Sequence, residues 1–146
     1  MRIAHDGLVV VADGNKMMLF KNKGSPTDLN LELVKLREQD NPPNREQKSD
    51  APGRAFSSVG QGRSAYEEAD FHAIEEARFA VETADMLRKG ALGNEFDSLW
   101  VVAPPSTLGA LRKHYHKEVE SRLKGEIAKN LTGHPVPEIE KILIEA

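Results

Sequence analysis

Leu99-Trp100-Val101-Val102-Ala103 is an unbroken apolar run, stopped at once by Pro104-Pro105. A strand with no polar residue on either face is usually central in its sheet and covered on both sides. The chain is therefore expected to be an α/β domain. Leu8-Val9-Val10-Val11-Ala12 is a second apolar, β-branched run, and Met17-Met18-Leu19-Phe20 follows it across Asp13-Gly14-Asn15. Asp-Gly between apolar runs signals a hairpin, since glycine reaches positive φ at little cost. Strands are expected at 8–12 and 16–21. A third is expected at 29–38, where Leu29, Leu31 and Leu33 alternate with polar residues until Val34-Lys35-Leu36 shifts the phase, as a bulge would.

Residues 39–63 are rich in Pro, Gly, Ser and charge, with almost no apolar content before Phe56. A loop of that length inside a domain is functional or disordered, and high mobility is expected for about 40–62. A helix then starts at Ser64, with Glu67 completing a capping-box pattern. Tyr66, Ala69, Ala73, Ala77, Ala80, Ala84 and Leu87 recur at helical spacing, with Ile74 and Val81 beside them. Gly90 is the expected stop. Beyond the central strand, Ser106 can cap a short helix to about Arg112, and Gly125–Lys129 reads as a last strand, with a helix competing. Pro135 and Pro137 introduce a terminal helix with Ile139, Ile142 and Leu143 on one face. The expected order is β-β-β-α-β-α-β-α in one domain spanning 1–146, a length that suits a single core.

Net charge is −3, unevenly spread: residues 64–100 carry three basic and nine acidic groups. A polyanion would be repelled there. The chain has no cysteine, which removes disulfides and thiolate metal sites. The N-terminus lacks an apolar signal-peptide core, and no apolar run approaches membrane-spanning length. A cytoplasmic protein without a membrane partner is expected.

Candidate chemistry centres on Gly60, Gln61, Gly62, Arg63 and Ser64. Glycines let backbone N–H groups approach a ligand, and a helix N-terminus favours an anion. The simpler reading is a flexible loop tip entering a helix. The segment matches neither a dinucleotide fingerprint nor a P-loop. His5, His72, His114, His116 and His134 have no metal-ligand spacing, so surface histidines and no metal are expected. Glu67-Glu68 and Glu75-Glu76 read as a solvated helix face, and Ser57 and Ser58 have no predictable base. Ser106 and Thr107 follow the central strand, where ligands gather in open α/β sheets, and are secondary candidates beside ordinary capping. No cofactor is expected.

Leu8–Asp13, the long loop into the helix, Leu99–Pro105 and above all Val119–Leu143 resemble a bacterial family of proteins required for attachment to host cells. Lys129-Asn130-Leu131-Thr132-Gly133-His134-Pro135 is close to its characteristic segment. That family is similar to the middle domain of archaeal and eukaryotic peptide-chain release factors. The resemblance implies a ribonuclease-H-like mixed sheet. It also implies a loop which, as Gly-Gly-Gln in release factors, helps water attack peptidyl-tRNA. Here Val59 stands at the first glycine and Gly62 is extra, changing the torsional freedom around Gln61. Two functions follow. In one, the chain acts on or near ribosomes or tRNA, with Gln61 orienting water or a terminal ribose, Gly60 and Gly62 permitting the loop and Arg63 contacting phosphate. In the other, a non-catalytic module binds a basic protein through the acidic helix and affects attachment indirectly.

Overall fold

The computed structural model describes residues 1–39 and 65–146, with side chains from residue 70 onward in the second stretch. Strand β1, Leu8–Ala12, is buried at all five positions. It turns through Asp13–Asn15 into the antiparallel β2, Lys16–Asn22. The Asp13 carboxylate holds that turn by accepting the N–H groups of Asn15 and Lys16, each at 2.7 Å, so the hairpin signal is met by an Asx turn. Strand β3, Leu31–Glu38, pairs antiparallel with β2, and the register shifts between Leu19 and Phe20. Leu19 opposes Lys35 and Phe20 opposes Leu33, which leaves Val34 as the extra residue of the expected bulge.

Strand β4, Leu99–Val102, is parallel to β1, and β5, Leu123–Ile127, is parallel to β4. The order is β3-β2-β1-β4-β5. β1 and β4 are therefore interior, with neighbours on both edges and helices on both faces, which is why both consist of apolar residues. Helices α1 (Ala65–Leu92), α2 (Pro105–Arg112) and α3 (Lys117–Arg122) cover one face, and α4 (Val136–Glu145) covers the other. Phe79, Leu87 and Leu111 pack on Val10 and Val101 from the first side. Ile139 and Leu143 pack on Val9, Phe20 and Trp100 from the second.

Several expectations shift. α3 is an added helix, so the order is β-β-β-α-β-α-α-β-α. His116 caps it by accepting Glu118 N–H at 3.0 Å. The last strand lies two residues earlier than Gly125–Lys129. Pro104, not Ser106, is the N-cap of α2, with Pro105 inside the first turn. α1 runs through Gly90 to Leu92, and the chain turns out at Asn94, whose φ is 59°. Gly90 is small because Phe96 packs there: a Cβ on it would come 3.0 Å from Phe96 Cε1.

The alanine stripe is half right. Ala80, Ala84 and Leu87 are buried, whereas Ala73 and Ala77 are exposed and Ile74 is 60% exposed. Among the described side chains of α1, burial begins at Phe79. A helix of 28 residues is about 42 Å long, while a five-residue strand such as β1 spans about 17 Å. The first turns of α1 therefore overhang the sheet.

At the other end of the sheet, Asn22 is fully buried and forms a polar knot. Its Nδ2 donates to Ile3 O at 2.9 Å and lies 3.3 Å from both Ala4 O and Ser25 O. Its Oδ1 accepts the N–H groups of Gly24 and Asn30, each at 3.0 Å. One side chain thus ties the N-terminal segment, the end of β2 and the approach to β3.

Candidate functional site

The carboxyl ends of β1, β3, β4 and β5 lie on one rim of the sheet, since these four run the same way. Gln39 follows β3 there. Its N–H donates to Asn15 O at 2.7 Å, and its Nε2 to Glu75 O on α1 at 3.2 Å. Ala65 begins α1 ten residues before Glu75, farther out along the overhang. Both flanks of the segment 40–64 therefore stand at this rim. Gly60, Gln61, Gly62, Arg63 and Ser64 themselves, and the loop expected at 40–62, lie outside the described residues.

Ser106 and Thr107 reach the same rim on the first turn of α2. With Ala73, Glu76, Ala77 and Ala110 they line a cleft of about 150 Å³ between α1 and α2. Glu76 also lies against the β1–β2 turn: a Cβ on Gly14 would come 2.7 Å from its Cδ. The two hydroxyls make no hydrogen bond among the described residues. The cleft thus offers two free hydroxyls and one carboxylate, a set suited to hydrogen-bonding a polar ligand.

The other wall of the rim is fixed by residues to which no role was given from sequence. Thr132 Oγ1 lies 2.7 Å from Asp13 Oδ2 and 2.8 Å from Asn130 Oδ1, and Thr132 N–H also donates to Asn130 Oδ1. The Lys129–Pro135 segment is thereby tied to the β1–β2 turn, with Leu131 buried beneath it. Both oxygens of Asp13 are occupied, so it frames the site and does not serve as a free base. Asp followed by Gly was the visible signal, but it announced only the turn. Among the described residues no group of three or more His, Cys, Asp or Glu could hold a metal ion. No helix there is long and apolar enough to cross a membrane.

Among the described side chains of α1, three acidic groups carry cation partners. Glu75 meets Arg78 at 3.4 Å, Glu82 meets Arg37 of β3 at 2.6 Å, and Asp85 meets both Arg88 and Lys89. Arg88 and Lys89 hold the Asp85 carboxyl below its ordinary range. Arg78, Arg88 and Lys89 already enter the charge of the helix, so of these partners only Arg37 of β3 offsets a further acidic group.

Near the carboxyl end of β5, Arg112 grips Glu126 Oε1 through Nε at 3.0 Å and Nη2 at 2.6 Å. Glu126 Oε2 and the Tyr115 hydroxyl are buried without a hydrogen-bond partner among the described residues. Burial, with the Glu126 charge adding, pushes the Tyr115 hydroxyl well above its ordinary pKa. The folded chain therefore holds this proton more tightly than the unfolded chain. That stability is fully present below the unfolded pKa of about 10 and is lost as pH rises beyond it, by at most about 1.4 kcal/mol per pH unit. Tyr115→Phe should be neutral or up to about 1 kcal/mol more stable at pH 7, because an unpartnered hydroxyl costs free energy on burial. Urea unfolding of both forms from pH 7 to 11 should show a smaller alkaline loss in the variant.

Sheet order and helices on both faces define a mixed α/β domain. The chain belongs to bacterial archaeo-eukaryotic release factor family 12, whose sequence model matches residues 6–143. No curated protein matches it.

Proposed function

We propose that the chain acts at the ribosome on peptidyl-tRNA, through the segment that enters α1. The observation that carries this reading is the family match, which runs from residue 6 to 143 and so spans Gly60-Gln61-Gly62. In this reading Gln61 orients the attacking water or the terminal ribose, Gly60 and Gly62 allow the backbone to approach, Arg63 meets phosphate and Ser64 leads into α1. Ser106, Thr107 and Glu76 form the adjoining wall. The order β3-β2-β1-β4-β5 with β2 reversed supports a ribonuclease-H-like frame for this reading. Arg37 of β3, paired with Glu82, offsets one of the acidic charges that α1 would set against RNA. The chain is then a cytoplasmic, translation-associated factor.

The purified chain should pellet with ribosomes at low salt and be released at high salt, as binding dominated by phosphate contacts requires. Failure to pellet at low salt would remove the ribosome from the account.

A second reading is favoured by Ile74, which stands 60% exposed on the overhanging half of α1 beside Glu75 and Glu76. There the chain is a non-catalytic module for a basic protein partner, and any effect on attachment to host cells is indirect. Charge reversal at Glu75 and Glu76 would then change the proteins it captures.

A further inference from the structure

Among the described residues β3 is an edge strand, hydrogen-bonded on one side only. Three of its eight residues are large, apolar and exposed: Leu33 at 50%, Val34 at 56% and Leu36 at 48%. Exposed apolar edges are rare in proteins because they template pairing with another chain. Edge strands usually counter this with charges and bulges, and β3 has both. The arrangement of these devices is what identifies the occupant.

The outward backbone groups follow from the pairing. Lys23 N–H donates to Asn30 O at 2.8 Å, and Gln39 N–H to Asn15 O. By alternation, Glu32, Lys35 and Arg37 turn their backbone groups toward β2, and Leu33, Leu36 and Glu38 turn theirs outward. The outward N–H of Leu31 is already taken by Glu140 Oε2 of α4 at 2.7 Å. The free edge is therefore centred on Leu33 and Leu36, with the Val34 bulge between them.

We infer that this edge pairs antiparallel with the same edge of a second copy, around a two-fold axis at the bulge. Outward groups must oppose outward groups, which sets Leu33 of each copy against Leu36 of the other. Both leucines lie on the α4 face, opposite Phe20 and Met18 of β2. The same register sets Glu32 against Arg37 of the second copy on the α1 face, where Arg37 holds Glu82 through Nη2 and keeps its other guanidinium N–H groups for Glu32. Glu32 has no cation partner among the described residues, and opposite charges across strands stabilise a pair. The extra residue occurs in both strands at the same place, so the two bulges stay in step. A shift of two residues one way sets Leu33 against Glu38, and a shift the other way sets Leu31 against Leu36 and needs the Leu31 N–H that Glu140 already holds; both put the bulges out of step. Apolar, ionic and hydrogen-bonding patterns thus all complement themselves in one register, and a self-complementary surface closes as a dimer.

Sedimentation velocity of the full chain over a wide concentration series tests this. A concentration-dependent dimer is expected. Leu33→Lys with Leu36→Lys, and separately Leu33→Glu with Leu36→Glu, should each weaken it by about 30-fold or more. Mixing the two double variants should restore a dimer, because every introduced lysine then faces an introduced glutamate. Circular dichroism should show both variants folded, as half-exposed positions allow. Three results would overturn the inference: a wild-type monomer throughout, which leaves the edge to another chain or to none; a dimer that survives both double substitutions; or mixed variants that stay monomeric.

Discussion

Asn22→Ala should lower the stability of the chain by about 3–5 kcal/mol, since each buried polar group left without a partner costs about 1–3 kcal/mol. The substitution strips hydrogen bonds from Ile3 O, Gly24 N–H and Asn30 N–H together. The backbone of Asn22 also bridges the segment before β1, accepting Asp6 N–H at 2.7 Å and donating to Gly7 O at 2.9 Å. Those two bonds remain but lose the side chain that positions them. Asn22→Asp should also be severe, because it keeps the acceptor, loses the donor and buries a charge. The measurement is the urea midpoint at unchanged slope, which separates lost stability from a changed unfolded state. A loss below about 1 kcal/mol would show that water or a rearranged turn replaces the knot. Asn22 lies at the end of the sheet opposite the rim, so ribosome pelleting by the fraction still folded should not change.

The parts of the fold visible in the sequence were those set by local pattern. The apolar runs of β1 and β4 required a covered, central position and have it. Asp13-Gly14 required a turn, and the phase change after Leu33 required an extra residue. The errors occur where a tertiary distance decides. Ala73 and Ala77 continue the stripe of Ala80 and Ala84 perfectly, yet only the latter pair is buried. Periodicity gives the direction of a helical face but not the point where the sheet beneath it ends. Gly90 has the composition of a helix stop, but it is there to admit Phe96. α3 has six residues, fewer than two turns, too short to show a period.

The candidate site was less legible than the fold. Ser106 and Thr107 were placed from the end of the central strand, and they do line a cleft at the rim. Glu76 read only as part of a solvated face, because nothing local shows that it meets the β1–β2 turn. The bond from Thr132 to Asp13 crosses 119 positions, and no local pattern can announce such a contact. The motif around Thr132 was recognisable as a motif, and its physical task was visible only once the two loops were seen together.

The central claim is that Gln61 and its glycines serve hydrolysis at the ester bond of peptidyl-tRNA. Water is a poor nucleophile, and a side-chain amide that fixes its position shortens the search for a reactive geometry. Displacing such a group costs on the order of 100-fold in rate. Alanine at position 61 removes the amide without adding bulk. Gln61→Glu keeps the shape but replaces the amide by a carboxylate, which would repel the phosphates nearby. The two variants should therefore differ in binding and agree in lost turnover. The direct measurement is single-turnover release of the nascent chain from peptidyl-tRNA on ribosomes, with wild type and Gln61→Ala at saturating protein. The account predicts measurable release by the wild type and a rate about 100-fold lower for the variant, with ribosome pelleting unchanged. Equal release rates for the two proteins would contradict it, and so would no release by a wild type that pellets with ribosomes.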